Sequence, residues 1–138
     1  TQLYGKEFYP RIPFIIDRPD LNMQDLAAEI KNPTYYLSAE HKPYYHALCV
    51  LGGNLPHLLW QKMRMGMLEL GLPDHVIDLY LDQNLKNFKA SPENSLTGPL
   101  ARKDLPTITK NLNALKNDPF QNVYQSFVDL TLPQTRPS

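Results

Sequence analysis

Apolar residues recur at intervals of three and four along most of this chain, the spacing of helices with one face turned inward. Leu48, Leu51, Leu55 and Leu59 keep that rhythm and predict a long central helix from Glu40 to Leu70. Gly52, Gly53 and Pro56 interrupt it: a proline at 56 removes its own donor and crowds the carbonyl of Gly52, so a kink is expected there, beside Asn54. Gly71-Leu72-Pro73 stops this helix and Pro73-Asp74 starts the next, with Val76, Leu79, Tyr80 and Leu85 marking its expected buried side. Ala90 to Leu96 is a break. Asp104 opens a helix carrying Ile108, Leu112 and Leu115, and Asp118-Pro119 opens a last one with Val123, Phe127 and Leu130. Before all of these, Ile12 to Ile16 and Thr34 to Leu37 are β-prone, separated by a short helix that Asn22 can cap and whose Leu26, Ala27 and Ile30 form one apolar stripe. The fold class is therefore mainly α, with one or two short N-terminal strands.

At 138 residues the chain has room for one domain with a core. Fourteen basic and 14 acidic side chains cancel to a formal charge of zero and are scattered along the sequence, so neither nucleic acid nor an anionic membrane is an expected partner. No apolar run approaches the roughly 20 residues that span a bilayer, and no basic-then-apolar leader is present. Cys49 is the single cysteine and sits in the apolar run Ala47 to Leu51, where it is expected to pack as a small hydrophobe. A soluble, cytoplasmic protein is expected. The chain opens at Thr1 without methionine and reads as one cut from a longer protein; Pro133 to Ser138 is a polar, proline-rich stretch expected to form a loose tail.

The stretch Thr97-Gly98-Pro99-Leu100-Ala101-Arg102-Lys103-Asp104 gathers a glycine turn, a guanidinium and a carboxylate just ahead of a helix. Asp104 is placed to cap that helix, and Arg102 either pairs with it for structure or faces a ligand. A second polar group lies on the central helix. Lys42 and His46 are four residues apart and Asn54 is eight further on, so the three can approach one face, where a lysine or histidine could exchange a proton with a carbonyl or alcohol oxygen. The competing account has His46 and Asn54 bonding locally to hold the kink. His41, His57 and His75 lack the spacing and the accompanying carboxylates of a metal site, so no metal is expected. No strand leads into a G-x-G-x-x-G turn, and no nucleophile elbow is present. This chain should not hold a dinucleotide by itself. Met63, Met65 and Met67 alternate with polar residues, and with Trp60 they give an apolar surface that points to a homodimer interface.

These pieces, in order, resemble a known family: Pro13-Phe14-Ile15-Ile16, Tyr45-His46-Ala47, Asn54, Thr97-Gly98-Pro99, Ala101-Arg102, Asp104, Leu112 and Leu115. The chain looks like the helical C-terminal domain of unknown function that follows an NADP-binding Rossmann domain in two-domain oxidoreductases. That domain is distantly similar to the C-terminal domains of pyrroline-5-carboxylate reductase and 6-phosphogluconate dehydrogenase. One departure stands out, since the family usually carries glycine where this chain has Lys103. The resemblance implies a helical bundle like the 6-phosphogluconate dehydrogenase C-terminal fold. It makes residues 1–37 a remnant of, or junction to, an absent Rossmann domain, 38–132 the helical dimerisation and substrate domain, and 133–138 the tail. It further implies hydride transfer with NADP or NAD bound mainly by the absent domain and not by this chain alone. His46 and Asn54 become the catalytic candidates. Arg102 becomes the substrate-binding candidate for a small anionic group, with Thr97, Gly98 and Asp104 framing it, whereas a role for Lys42 is borrowed from more distant dehydrogenases. The alternative is a non-catalytic helical dimerisation or scaffold module.

Overall fold

The computed structural model describes residues 5–21, 23–26 and 28–132. The chain divides into two compact units, Thr1–Glu69 and Leu70–Ser138. In the first, a 3-10 turn at Tyr9–Arg11 leads into strand β1 (Phe14–Ile16), and helix α1 (Met23–Leu26) lies in the crossover to strand β2 (Thr34–Tyr36). The two strands pair in parallel, Phe14 with Thr34, Ile15 with Tyr35 and Ile16 with Tyr36. The first strand starts at Phe14 rather than Ile12 because Pro13 has no N–H to give to a ladder. The side chain of Asn32 fastens the lead-in, its Nδ2 donating to the carbonyls of Tyr9 and Ile12 at 2.6 and 2.8 Å. Asn22 and Ala27, expected to cap and line the short helix, lie outside the described residues, as does the expected tail from Pro133.

The central helix is not continuous. A 3-10 turn at Ala39–His41 leads into α2 (Lys42–Cys49), a π-helical turn follows at Val50–Asn54, and α3 (Leu55–Glu69) completes the run. The interruption thus precedes Pro56, where the kink was expected. Leu55 N–H reaches back five residues to the Val50 carbonyl. The reason is local: Pro56 cannot donate to the carbonyl of Gly52, and Gly52-Gly53 has no side chains to resist a wider turn. Met63 and Met67, four apart, share a half-buried side of α3 while Met65 is exposed, so the three methionines do not act as one alternating set. Cys49, expected to be packed, is exposed instead. Its neighbour Tyr45, one turn back, has its phenol held above the usual range by the Cys49 side chain.

In the second unit, Gly71 takes φ +80° and α4 (Asp74–Ala90) begins after Pro73, as expected. Its buried side is misjudged by spacing alone. Val76, Leu79, Tyr80 and Leu85 are exposed, and the buried residue is Ile77, 2% exposed. A 3-10 turn at Pro92–Asn94 fills the predicted break. Helices α5 (Gly98–Arg102), α6 (Leu105–Ala114) and α7 (Phe120–Thr131) then pack on one another. Ile108 is 3% exposed, and Leu112 and Leu115 are half-buried on the same stripe of α6 and the turn after it. On α7 the inward stripe is Phe120, Tyr124 and Val128, whereas Val123, Phe127 and Leu130 are exposed. Two hydrogen bonds tie α6 to α7: Asn111 Nδ2 to the Tyr124 hydroxyl at 3.0 Å and Gln121 Nε2 to the Leu112 carbonyl at 2.9 Å.

The fold is mainly helical with two short parallel strands, in line with the sequence pattern. Among the described residues, Ile77 and Ile108 are the only buried apolar side chains, and no helix is long and apolar enough to cross a membrane.

Candidate functional site

The candidate residues fall on two constellations, one in each unit. In the first unit His46 lies in the last turn of α2 and is exposed; Asn54, also exposed, ends the π-helical turn. A π-helical turn within a helix is a frequent mark of functional positions, because it bulges the backbone and re-aims the side chains it carries. Neither Gly52 nor Gly53 would meet any atom within 4 Å if it carried a Cβ. The backbone beside Asn54 is therefore uncovered, and its glycines leave room for close approach.

Lys42 has a partner that sequence spacing did not disclose. Its Nζ lies 2.8 Å from Asp17 Oδ2, with both side chains about two-fifths exposed (41% and 38%). The hydrogen bond from Lys42 holds the Asp17 carboxyl below its usual range. This ion pair ties the end of β1 to the start of α2. A carboxylate directly after an apolar strand, as in Ile15-Ile16-Asp17, is the signal that could have found it. The neighbouring turn has its own pair, Arg18 with Asp20 at 2.7 Å. His57 makes an edge-to-face contact with Trp60, ring centroids 4.8 Å apart.

The second constellation is more compact than the glycine loop the sequence implied. Thr97 precedes α5 without a side-chain cap bond, and Gly98 takes φ +81° as its turn requires. Residues 98–102 are a helical turn, not an open loop. Its exit is a Schellman motif: Lys103 N–H donates to the Leu100 carbonyl at 3.2 Å and Asp104 N–H to the Pro99 carbonyl at 2.9 Å. Lys103 occupies the left-handed position of that motif with φ 56°. Asp104 therefore finishes one helix and caps the next, its Oδ1 accepting from Thr107 N–H at 3.1 Å and its Oδ2 from the Thr107 hydroxyl at 2.8 Å. These two bonds lower its pKa, with a smaller contribution from Arg102 acting at a distance. The expected alternative of a structural Arg102–Asp104 ion pair does not form: Asp104 is occupied by Thr107, and Arg102 is exposed in the last turn of α5.

Lys103 gives a direct test of this geometry. A residue with a Cβ in the left-handed region costs about 1–2 kcal/mol, while glycine costs about 0.4–1 kcal/mol more entropy on folding. Lys103→Gly is accordingly expected to raise stability by up to about 1.6 kcal/mol in chemical denaturation. A clear loss of stability would contradict the left-handed assignment.

The described residues do not form a dinucleotide cradle. Gly52-Gly53 lies inside a helical turn, and β1 is followed by Asp17-Arg18-Pro19-Asp20, not by a glycine-rich turn into a helix. Nor do three or more His, Cys, Asp or Glu side chains gather as metal ligands among the described residues.

A family model described as "Domain of unknown function (DUF2520)" matches residues 17–131. A solved structure from Bacteroides fragilis, described as a "putative NADP oxidoreductase", shares the fold with a TM-score of 0.67 over 79% of this chain at 22% sequence identity. The chain spans 43% of that protein's length. No curated protein matches the chain.

Proposed function

The chain belongs to the DUF2520 family, and on that premise we propose that it is the C-terminal dimerisation and substrate-binding domain of an NAD(P)-dependent oxidoreductase. The observation that carries this reading is the fold shared with a protein described as an NADP oxidoreductase, of which this chain spans 43%. The cofactor, NADP or NAD, would be held mainly by a nucleotide-binding domain outside these residues. When bound, it supplies the hydride.

Within this chain, His46 is the proton-exchanging group for the substrate oxygen. It is exposed and lies one helical turn after Lys42, whose ammonium is engaged by Asp17. Asn54, re-aimed by the π-helical turn, orients the same oxygen by a hydrogen bond. In the second unit, Arg102 offers its planar fork to a carboxylate of a small anionic group. Thr97 and Gly98 shape the approach to it, and Asp104 fixes its backbone through the Schellman turn and the cap on α6.

The same domain forms the homodimer. Leu55, Leu58, Lys62 and Met65 follow one another at spacings of three, four and three along α3, which places them on one side of the helix. Leu58 is 52% and Met65 61% exposed. We assign the occupant of this seam as α3 of a second copy, because the repeat is that of a self-complementary helix pair.

Kinetics on the product of the complete reading frame, with NADPH and a panel of small 2-oxo acids, tests the catalytic part. His46→Ala is expected to lower kcat about 10²-fold or more with an unchanged unfolding midpoint, since its side chain is exposed. Arg102→Lys is expected to raise KM for the acids more than it lowers kcat. Unchanged kcat in His46→Ala would remove His46 from the chemistry.

A further inference from the structure

Helix α2 carries His46, yet little of the first unit holds it. Every residue from Pro43 to Cys49 is exposed, and the contacts of α2 are concentrated on the turns at its two ends, Ala39–His41 and Val50–Asn54. Among the described residues the His46 side chain makes no hydrogen bond or ion pair of its own. The place of the imidazole is therefore set by the direction of α2 and not by contacts of the ring.

Lys42, in the first turn of α2, is the exception. It is half-buried, and its Nζ reaches Asp17 Oδ2 at 2.8 Å. Asp17 directly follows β1, and the last residue of that strand, Ile16, accepts the Leu37 N–H at its carbonyl at 2.8 Å. From Leu37 the chain passes into the turn before α2, where Ser38 Oγ lies 2.6 Å from His41 Nδ1. The strand pair thus holds the lead-in to α2 through Leu37 and the helix itself through Lys42. Arg18 does not compete for Asp17, because Asp20 takes its guanidinium through two bonds of 2.9 and 2.7 Å. The hydrogen bond from Lys42 is the largest influence on the Asp17 carboxyl, which it holds below the usual range.

An ion pair this open to water adds little to stability. Its leverage on geometry is greater. One helical turn separates Lys42 from His46, about 6 Å along the axis, so a swing of α2 by about 10° about its start moves His46 by roughly 1 Å. A misplacement on the order of 1 Å can cost up to about 10²-fold in rate.

We infer that Asp17 is a positioning residue: by holding Lys42 it fixes α2, and with it His46, against the strand pair. Lys42 then serves as a strut and not as a proton donor. The inference rests on the proposed function for the role of His46.

Two measurements on the product of the complete reading frame test it. Kinetics with NADPH and the small 2-oxo acids reads the effect on rate, and amide exchange over residues 42–49 reads the hold on α2 without reference to activity. Asp17→Asn keeps the shape and removes the charge. It is expected to lower kcat about 10-fold with KM unchanged within about twofold, and to speed exchange in α2 by about 10-fold while the unfolding midpoint stays in place. Lys42→Met is expected to do the same, and the two substitutions together no more than either alone. The exchanged pair, Asp17→Lys with Lys42→Asp, should recover most of the lost rate. A loss in Lys42→Met far beyond that in Asp17→Asn, with no recovery in the exchanged pair, overturns the proposal and makes Lys42 the proton donor. Unchanged kcat in Asp17→Asn also overturns it, and the proposed function then stands. If the wild-type protein does not turn over the acids, the functional reading fails by itself and exchange decides the rest: faster exchange of α2 in Asp17→Asn supports the hold, and exchange equal to wild type overturns it.

Discussion

Replacing Leu58 and Met65 together with glutamate is expected to convert a dimer into a monomer at micromolar concentration in light scattering, with helix content retained by circular dichroism. Both side chains stand out from α3 on the seam with Leu55 and Lys62, so the free chain can accommodate charge there at little cost. In a helix pair the same charges would be buried opposite their symmetry copies. An unpaired buried charge costs several kcal/mol, so a weakening of association by about 10³-fold or more is expected. Ile77 and Ile108 are the only buried apolar residues among those described, which leaves apolar surface open to the proposed partner. A wild-type chain that scatters as a monomer at tens of micromolar would remove the dimer from the account.

Ile108→Ala is expected to destabilise the second unit by about 2–5 kcal/mol, the range for truncating a buried isoleucine without collapse of the cavity. Ile108 is 3% exposed and sits one turn beyond Asp104, whose carbonyl accepts its N–H at 3.0 Å. It therefore anchors the start of α6, where the capping carboxylate and the exit of α5 meet. Thermal unfolding should shift down by roughly 10 °C. A cost below about 1 kcal/mol would mean that α5, α6 and α7 are organised around some other contact.

How much of this was legible in the sequence depends on how local each cause is. The Asp104 cap and the stripe Ile108, Leu112 and Leu115 were readable because a carboxylate three residues ahead of a threonine N–H and a three-four apolar spacing act within two turns. The buried side of α4 was not. Val76, Ile77, Leu79, Tyr80 and Leu81 are nearly consecutive apolar residues, so two helical phases fit equally well, and the phase through Ile77 is the one that is buried. The break near Gly52 was visible, but its nature was not, since periodicity does not record whether a carbonyl is reached from four or five residues on. Lys103 was an unlikely residue for φ 56°, and the glycine usual in the family was the available clue. Among the candidate site residues, Asp104 was readable as a cap by type and spacing, whereas His46, Asn54 and Arg102 became candidates only through the family resemblance. The partner of Lys42 was missed because Asp17 lies far back along the chain, beyond the reach of any local pattern.

The central claim is that these residues form the helical half of an oxidoreductase whose nucleotide site lies outside them. Calorimetric titration of NADPH, first into the 138-residue chain and then into the product of the complete reading frame, tests it most directly. The account predicts no measurable binding to the former, whose described residues form no phosphate-cradling turn, and micromolar binding to the latter. Micromolar binding to the 138-residue chain, or none to the longer product, would contradict it.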